Sequence, residues 1–169
     1  MPLEILRTIH IVTGALWVGA VVLLAWFIAP AAGALGPAGG ALMSHLNNVR
    51  KMPRYMSAMA VLAILSGLSL MGMVSHGNSG WMHTHMGITI SIGAVLGILG
   101  FAHGIATIMP LTRRMAARGA EIAKAGRAPT GDEQAEMQRD FRKLGRNTRI
   151  AATMLLLALV AMAMARYIP

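Results

Sequence analysis

The sequence predicts an all-α integral membrane protein, built as a four-helix up-down-up-down bundle with a helical hairpin extending into the cytoplasm. Hydrophobic residues make up 56% of the chain and charged residues only 12%, which is typical of a membrane protein. Four apolar stretches also approach or exceed the roughly 20 residues that cross a bilayer. These predicted spans are 9–29, 55–74, 86–109 and 150–168. They leave no length for a separate soluble domain, so we expect residues 1–169 to form a single transmembrane domain.

The distribution of basic residues predicts the orientation of the chain. Thirteen of the 15 Lys and Arg residues lie in the connections after the first and third predicted spans, and the other two are Arg7 and Arg166. In an alternating bundle these two connections share a side, which the positive-inside rule assigns to the cytoplasm. We therefore expect a multi-pass protein of the bacterial inner membrane with both termini in the periplasm. The net charge of +9 then reflects topology and anionic lipid headgroups, and we expect no nucleic-acid partner.

The first half of the chain contains two predicted spans joined by a cytoplasmic segment. We expect the first helix to run from about Leu3 to Pro30, where the sequence becomes rich in Gly and Pro. From Pro37 onward the pattern predicts an amphipathic helix, with a break or kink at Pro53. The second helix continues to about Val74, and the sequence SHGNSG that follows predicts a turn on the external side.

The second half of the chain contains a longer cytoplasmic segment. Ser79 is a candidate cap for the third helix, and Pro110 predicts a kink beyond which this helix enters the hairpin, 110–149. Thr130 and Glu133 have the spacing of a capping box, so the fourth helix starts well before its apolar part. The third helix also carries a stripe of glycines that permits close approach by a neighbouring helix or a flat ligand: Gly93, Gly97, Gly100 and Gly104.

Six histidines are the residues on which a functional hypothesis can rest. The chain has no cysteine, which excludes thiol chemistry and cysteine-ligated clusters, and it contains none of the common enzyme motifs. An ionisable side chain in a membrane span is by default a functional candidate. His85 and His103 are separated by five whole helical turns, so they share one face of the third helix with their Cα atoms about 27 Å apart.

The first candidate site is a haem held by His10 and His85. Both residues lie at the external edge of their predicted spans, on helices that face each other across a four-helix bundle. Two imidazoles at equal depth provide both axial ligands of a haem b iron. Arg7 and Arg166 lie at the same edge, where a guanidinium can pair with a haem propionate. We therefore predict a bis-His haem near the external face.

His103 predicts a second haem nearer the cytoplasmic face, with His45 as its candidate partner. Two haems at these levels are about 20 to 27 Å apart along the bundle, by the rise of a helix. The sequence thus predicts a membrane cytochrome that carries one-electron transfer across the bilayer, with one or two haems and no separate catalytic residue. It does not identify the redox partner.

The sequence leaves two alternatives open. The external end also carries Met82 and Met86 interleaved with His76, His83 and His85, and thioether with imidazole is a ligand set that suits copper. A copper-binding membrane protein is therefore the second hypothesis. The third is a structural or assembly subunit without a cofactor, either in a homo-oligomer or in a larger membrane complex. In that case all six histidines have structural roles.

One group of sequence features resembles a known family. The first predicted span contains His10, then Trp17-Val18-Gly19-Ala20, and the second contains Ser66-Gly67-Leu68. These motifs resemble the copper-resistance-D-like (CopD-like) group of small bacterial integral membrane proteins, over about 70 residues. The resemblance implies a multi-helix bundle with copper or haem at the position of His10. The four-helix layout with histidines near both surfaces is also similar to transmembrane b-type cytochromes.

Overall fold

Four long helices dominate the computed structural model, which describes residues 2–168 apart from the side chain of Pro37. Each is long and apolar enough to cross a membrane, by length and composition. We call them helix one to helix four: Pro2–Ala34, Met52–Ser75, His85–Lys124 and Gly131–Met164. The all-α class and the four membrane-crossing helices are thus confirmed, and a lipid bilayer is the environment that these helices suit.

Helix one continues four residues beyond Pro30, where the sequence predicted its end. A π-helical turn, Leu24–Ile28, lies just before this proline, and the N–H of Ala29 reaches back five residues to the carbonyl of Leu24. Proline has no N–H to donate and its ring crowds the preceding turn of an α-helix. The wider π turn is one of the local adjustments by which a helix accepts proline, and here the helix continues to Ala34.

Helix three also contains a π turn before a proline, and it continues further beyond that proline. A π turn, Gly104–Ile108, precedes Pro110, and the helix then continues through the polar segment Met109–Lys124. At the position of the predicted kink, a π turn thus ends two residues before Pro110, and the helix continues beyond the proline as predicted.

The connections on either side of helix two contain short helical turns. A helical segment, Pro37–Ser44, and a π turn, His45–Val49, lead to Lys51, whose left-handed φ of 54° sets the start of helix two. Between helices two and three, a 3₁₀ turn occupies Ser79–His83. The cap of helix three is Thr84, which accepts a hydrogen bond from the N–H of Gly87 at 3.0 Å. The assignment of Ser79 as this cap is wrong, because Ser79 already belongs to the 3₁₀ turn.

The helices pack in two pairs with a core made largely of alanine. Helix one packs along helix two, helix three packs along helix four, and the pairs meet through helices one and four and through helices two and three. The buried core residues at this junction include Trp17, Leu155 and several alanines. The alanines are Ala25, Ala60, Ala63, Ala151 and Ala152. Because small residues let backbones approach closely, these helices associate without large interlocking side chains.

Two glycines of the predicted stripe lie against helix four. A Cβ atom at Gly93 would be 2.8 Å from Cγ of Met162, and one at Gly100 would be 3.1 Å from Cδ2 of Leu155. At Gly97 and Gly104 a Cβ would meet nothing within 4 Å. Of the two roles considered for the stripe, close helix packing therefore accounts for Gly93 and Gly100.

Beyond the apolar part of the bundle, ion pairs join helix three to helix four. Asp140 on helix four is buried with 4% of its surface exposed. Nη1 of Arg118 on helix three donates to its carboxylate at 3.1 Å, and Nε of Arg114 lies 3.8 Å from the same oxygen. Arg118 also pairs with Glu136. A buried carboxylate is costly unless it is paired and hydrogen-bonded, so these contacts fix the polar ends of the two helices against each other.

The predicted capping box at the start of helix four is confirmed. Thr130 Oγ1 accepts from the N–H of Glu133 at 3.3 Å, and the N–H of Thr130 donates to the Glu133 carboxylate at 2.7 Å. Arg127 adds a bidentate pair, with both N–O distances 2.8 Å. The hydrogen bonds from Arg127 and then from the Thr130 backbone lower the pKa of Glu133 to about 2.

We expect Arg127→Gln to raise the pKa of Glu133 toward its ordinary value, measured by carbon-13 NMR titration of the carboxyl group. Since the folded-state pKa is depressed, the stabilisation of this helix start is complete above the ordinary value of 4.5 and is lost as the pH falls toward about 2. Amide hydrogen exchange at Glu133 follows the same loss. Arg113→Gln, which changes the same charge away from the box, is the control. An unchanged pKa in Arg127→Gln would contradict the assigned cause.

Candidate functional site

His10 lies on the face of helix one that is directed into the bundle. It precedes the buried Trp17 by seven residues, which is close to two helical turns, so the two side chains share a face. The imidazole is partly buried. Its position follows from the face of helix one that forms the core: Thr13, Trp17 and Val21 are all buried along it.

The imidazole of His10 is held by the backbone of helix two. Nδ1 of His10 lies 2.8 Å from the carbonyl oxygen of Ala63. A carbonyl oxygen can only accept, so Nδ1 carries the proton, and Nε2 of the neutral imidazole then carries the free lone pair. The hydroxyl of Ser66 shares this carbonyl: it donates to the carbonyls of Leu62 at 2.5 Å and of Ala63 at 3.2 Å. Helix two thus fixes the orientation of the His10 ring.

Gly67 provides the space in which this ring lies. A Cβ atom there would be 2.7 Å from Cε1 and 3.0 Å from Nδ1 of His10. Real Cβ contacts are essentially never that short, so any side chain at this position would displace the imidazole. The Ser66-Gly67 step and His10, which the sequence presents as separate motifs, therefore form one structural unit. Their contact links residues 53 positions or more apart, which local patterns do not reveal.

The structure does not bring His10 and His85 together. The rings of Trp17 and Phe101 are in edge-to-face contact with their centroids 6.0 Å apart, which places these residues at one level of helices one and three. His10 is seven residues from Trp17, about 10 Å, and His85 is sixteen residues from Phe101, about 24 Å. The two histidines then differ in level by about 14 Å if the helices run in the same direction, and by more if they run in opposite directions. The bis-His pairing stays a prediction.

The remaining candidates at the His85 end of the bundle are exposed. His85 is the first residue of helix three, His76 is the left-handed cap of helix two, and His83 ends the 3₁₀ turn. Met82 and Met86 are also exposed. No group of three or more His, Cys, Asp or Glu side chains with metal-binding geometry occurs within residues 2–168. Arg7 and Arg166, predicted to pair with propionates, are exposed near the two ends of the chain.

His103 is the second histidine with an unusual environment. Its side chain is partly buried, and its Nε2 atom is buried without a hydrogen-bond partner in the described part of the chain. The π turn of helix three starts at the next residue, Gly104. A buried nitrogen without a partner is costly, and such groups often mark functional positions. His45, its predicted partner, is exposed at the start of the π turn before helix two.

Comparison with known proteins found no significant match to a protein-family model, a curated protein or a solved structure. The assignment of function therefore depends on the residues of this chain, of which His10 and His103 are the two with the most informative surroundings.

Proposed function

We propose that this chain is a membrane protein that binds haem b through Nε2 of His10 and carries one-electron transfer. The observation that carries the proposal is the hydrogen bond from Nδ1 of His10 to the Ala63 carbonyl. Metal-ligating histidines almost always donate their other ring N–H to a carbonyl, carboxylate or water, which fixes the tautomer and raises the basicity of the ligating nitrogen. Haem iron at this position would supply reversible one-electron chemistry.

The residues around His10 define what the protein contributes to such a site. The Ala63 carbonyl holds the ring orientation, Ser66 orients its hydroxyl onto the same carbonyl, and Gly67 leaves room for the ring. His85, at a different level of the bundle, would hold the same haem only if helices one and three shifted relative to each other. His103, with its unpartnered Nε2, is the candidate ligand of a second haem. The resemblance to CopD-like proteins, which implies haem or copper at His10, agrees with the site.

For the topology, we propose that the four helices alternate in direction and that the polar ends of helices three and four form a hairpin in the cytoplasm of a bacterium. The concentration of basic residues at that end supports this orientation. Both termini then lie in the periplasm, at the His85 end of the bundle.

The deciding experiment is an absorption spectrum with iron and copper analysis on the protein purified in detergent after expression with added haem. We expect a Soret band that shifts on reduction in the wild type, because Nε2 of His10 would bind the haem iron. We expect His10→Ala to lose most of its haem, whereas the matched control His76→Ala, on an exposed cap, retains it. A His10→Ala variant with full haem content and an unchanged spectrum would overturn the proposal.

The same preparation tests the pairing with His85. If His85 is the second axial ligand, His85→Ala changes the low-spin spectrum of a six-coordinate iron to the high-spin form. An unchanged spectrum excludes His85 and leaves His10 as the single protein ligand that we propose.

A copper-binding function is the second candidate, and one observation favours it. A cavity of about 230 Å³ lies at the His85 end and is lined by two thioethers, those of Met71 and Met82, together with Trp81 and Asn78. Sulfur ligands favour Cu(I). Copper in the purified protein without a Soret band would support this function over haem. Neither metal, after expression with both supplied, would leave the structural-subunit hypothesis.

A further inference from the structure

A large cavity lies between the end of helix one and the middle of helix four. Its volume is about 790 Å³, within the range of ligand-binding pockets. Helix one contributes Ala29, Pro30 and Gly33, and helix four contributes residues between Gln138 and Met154. The cavity is distinct from the surroundings of His10 and His103, neither of which lines it.

Three arginines form one side of this cavity: Arg142, Arg146 and Arg149. Spacings of four and three residues place them on one face of helix four. In the described part of the chain, none of these three arginines makes an ion pair with a carboxylate. The carboxylates of helix four that form ion pairs do so with Arg114, Arg118 and Arg127. The cavity therefore contains three positive charges and no internal counter-ion.

The carboxylates of helix four lie on a different face of the helix. Asp140 and Glu136 are directed to Arg118 on helix three, and by helical spacing Asp140 lies about 160° around the axis from Arg142. The middle of the helix thus separates its charges, with Glu136 and Asp140 toward helix three and the unpaired arginines toward the cavity. The positive charge of the cavity favours an anionic ligand.

The rest of the lining is apolar. Phe141 and Leu144 lie beside the arginines, and Ile150 and Met154 continue the lining along helix four. After Arg149 helix four has no charged residue before its end at Met164. The arginines therefore mark the boundary between the polar and the membrane-crossing parts of the helix, the level at which arginine reaches phosphates of the bilayer.

Gly145 lies at the centre of the basic face. A Cβ atom at this glycine would be 3.8 Å from Nη2 of Arg149, so the guanidinium of Arg149 lies back over the glycine. A planar guanidinium at this level can donate two parallel hydrogen bonds to a phosphate.

We infer that this cavity is a specific site for an anionic phospholipid. Arg142, Arg146 and Arg149 bind the phosphate group, and an acyl chain lies along Ile150 and Met154. A free phosphate would use the arginines but not this apolar extension, and a zwitterionic lipid would lack the net charge. The inference depends on the protein lying in a membrane and is independent of haem binding.

Native mass spectrometry of the delipidated full-length protein tests the inference by measuring binding of phosphatidylglycerol, with phosphatidylcholine of the same chains as the comparison. At about 1 kcal/mol per basic residue, we expect the triple variant Arg142→Gln, Arg146→Gln and Arg149→Gln to bind phosphatidylglycerol about 100-fold more weakly. The control variant Arg54→Gln, Arg113→Gln and Lys124→Gln removes the same charge at positions that do not line the cavity and should bind as the wild type does.

A second variant keeps the charge and fills the space. We expect Gly145→Leu to weaken phosphatidylglycerol binding because atoms beyond the new Cβ, itself 3.8 Å from Nη2 of Arg149, would crowd the guanidinium. Gly119→Leu, where a Cβ meets nothing within 4 Å, should not. Equal binding of the two lipids, equal losses in both charge variants, or full displacement of the lipid by equimolar inorganic phosphate would each overturn the inference.

Discussion

Leu155→Ala is expected to lower the free energy of unfolding by about 2–5 kcal/mol, the range for truncating a fully buried leucine. Leu155 has 2% of its surface exposed and lies in the core between helix four and the other helices. Its side chain also packs against Gly100, since a Cβ atom added at Gly100 would lie 3.1 Å from Cδ2 of Leu155. Because alanine forms most of this core, few neighbouring side chains are long enough to refill the space.

The control for this prediction is two residues away on the same helix. Leu157 has 52% of its surface exposed, and Leu157→Ala removes the same atoms from a position that faces away from the core. Denaturant titration in detergent micelles measures both variants. Similar free energies of unfolding in the two would contradict the packing described for helix four.

Gly67→Leu is the second prediction with a large effect, because it acts on the candidate haem site. The new side chain would overlap the imidazole of His10 and break its hydrogen bond to the Ala63 carbonyl. We expect a loss of about 1–3 kcal/mol in the free energy of unfolding, as for other side chains forced into a packed interior. We also expect reduced haem content, since the ligand ring is displaced.

Gly72→Leu provides the comparison. It introduces the same side chain into the same helix, at an exposed position where a Cβ meets nothing within 4 Å. This variant should retain both stability and haem. A Gly67→Leu protein that matched Gly72→Leu in both measurements would show that the contact between His10 and Gly67 does not matter for folding or for the cofactor.

The features of the fold that depend on local sequence were the ones that could be predicted. The four apolar stretches each lie mostly within one long helix, because bilayer thickness sets their length. The capping box at Thr130 and Glu133 could also be predicted, because its two partners are only three residues apart in the sequence. Pro30 predicts a helix end and Pro110 predicts a kink, but a π turn before each proline lets the helix continue. No local sequence pattern distinguishes such a turn from an ordinary helical turn.

The candidate site was predicted only in part. The position of His10 at the external edge of its predicted span, at the same depth as His85, singled it out. Its contacts with Ala63 and Gly67, however, depend on how helices one and two are aligned along their axes. The depth of His85 was counted from the start of its apolar stretch, which does not fix the register between helices one and three. In the structure, the contact between Trp17 and Phe101 indicates that register.

The π turn of helix three sets the rotational phase between the two halves of that helix. Its N–H groups reach back five residues, as from Met109 to Gly104, so the turn holds one residue more than an α turn. Without that residue the helix would remain continuous, but everything beyond it would rotate by about 100°. Arg118 would then face away from Asp140, although no residue of the ion pair had changed. The turn thus aligns the polar half of the protein with its membrane half.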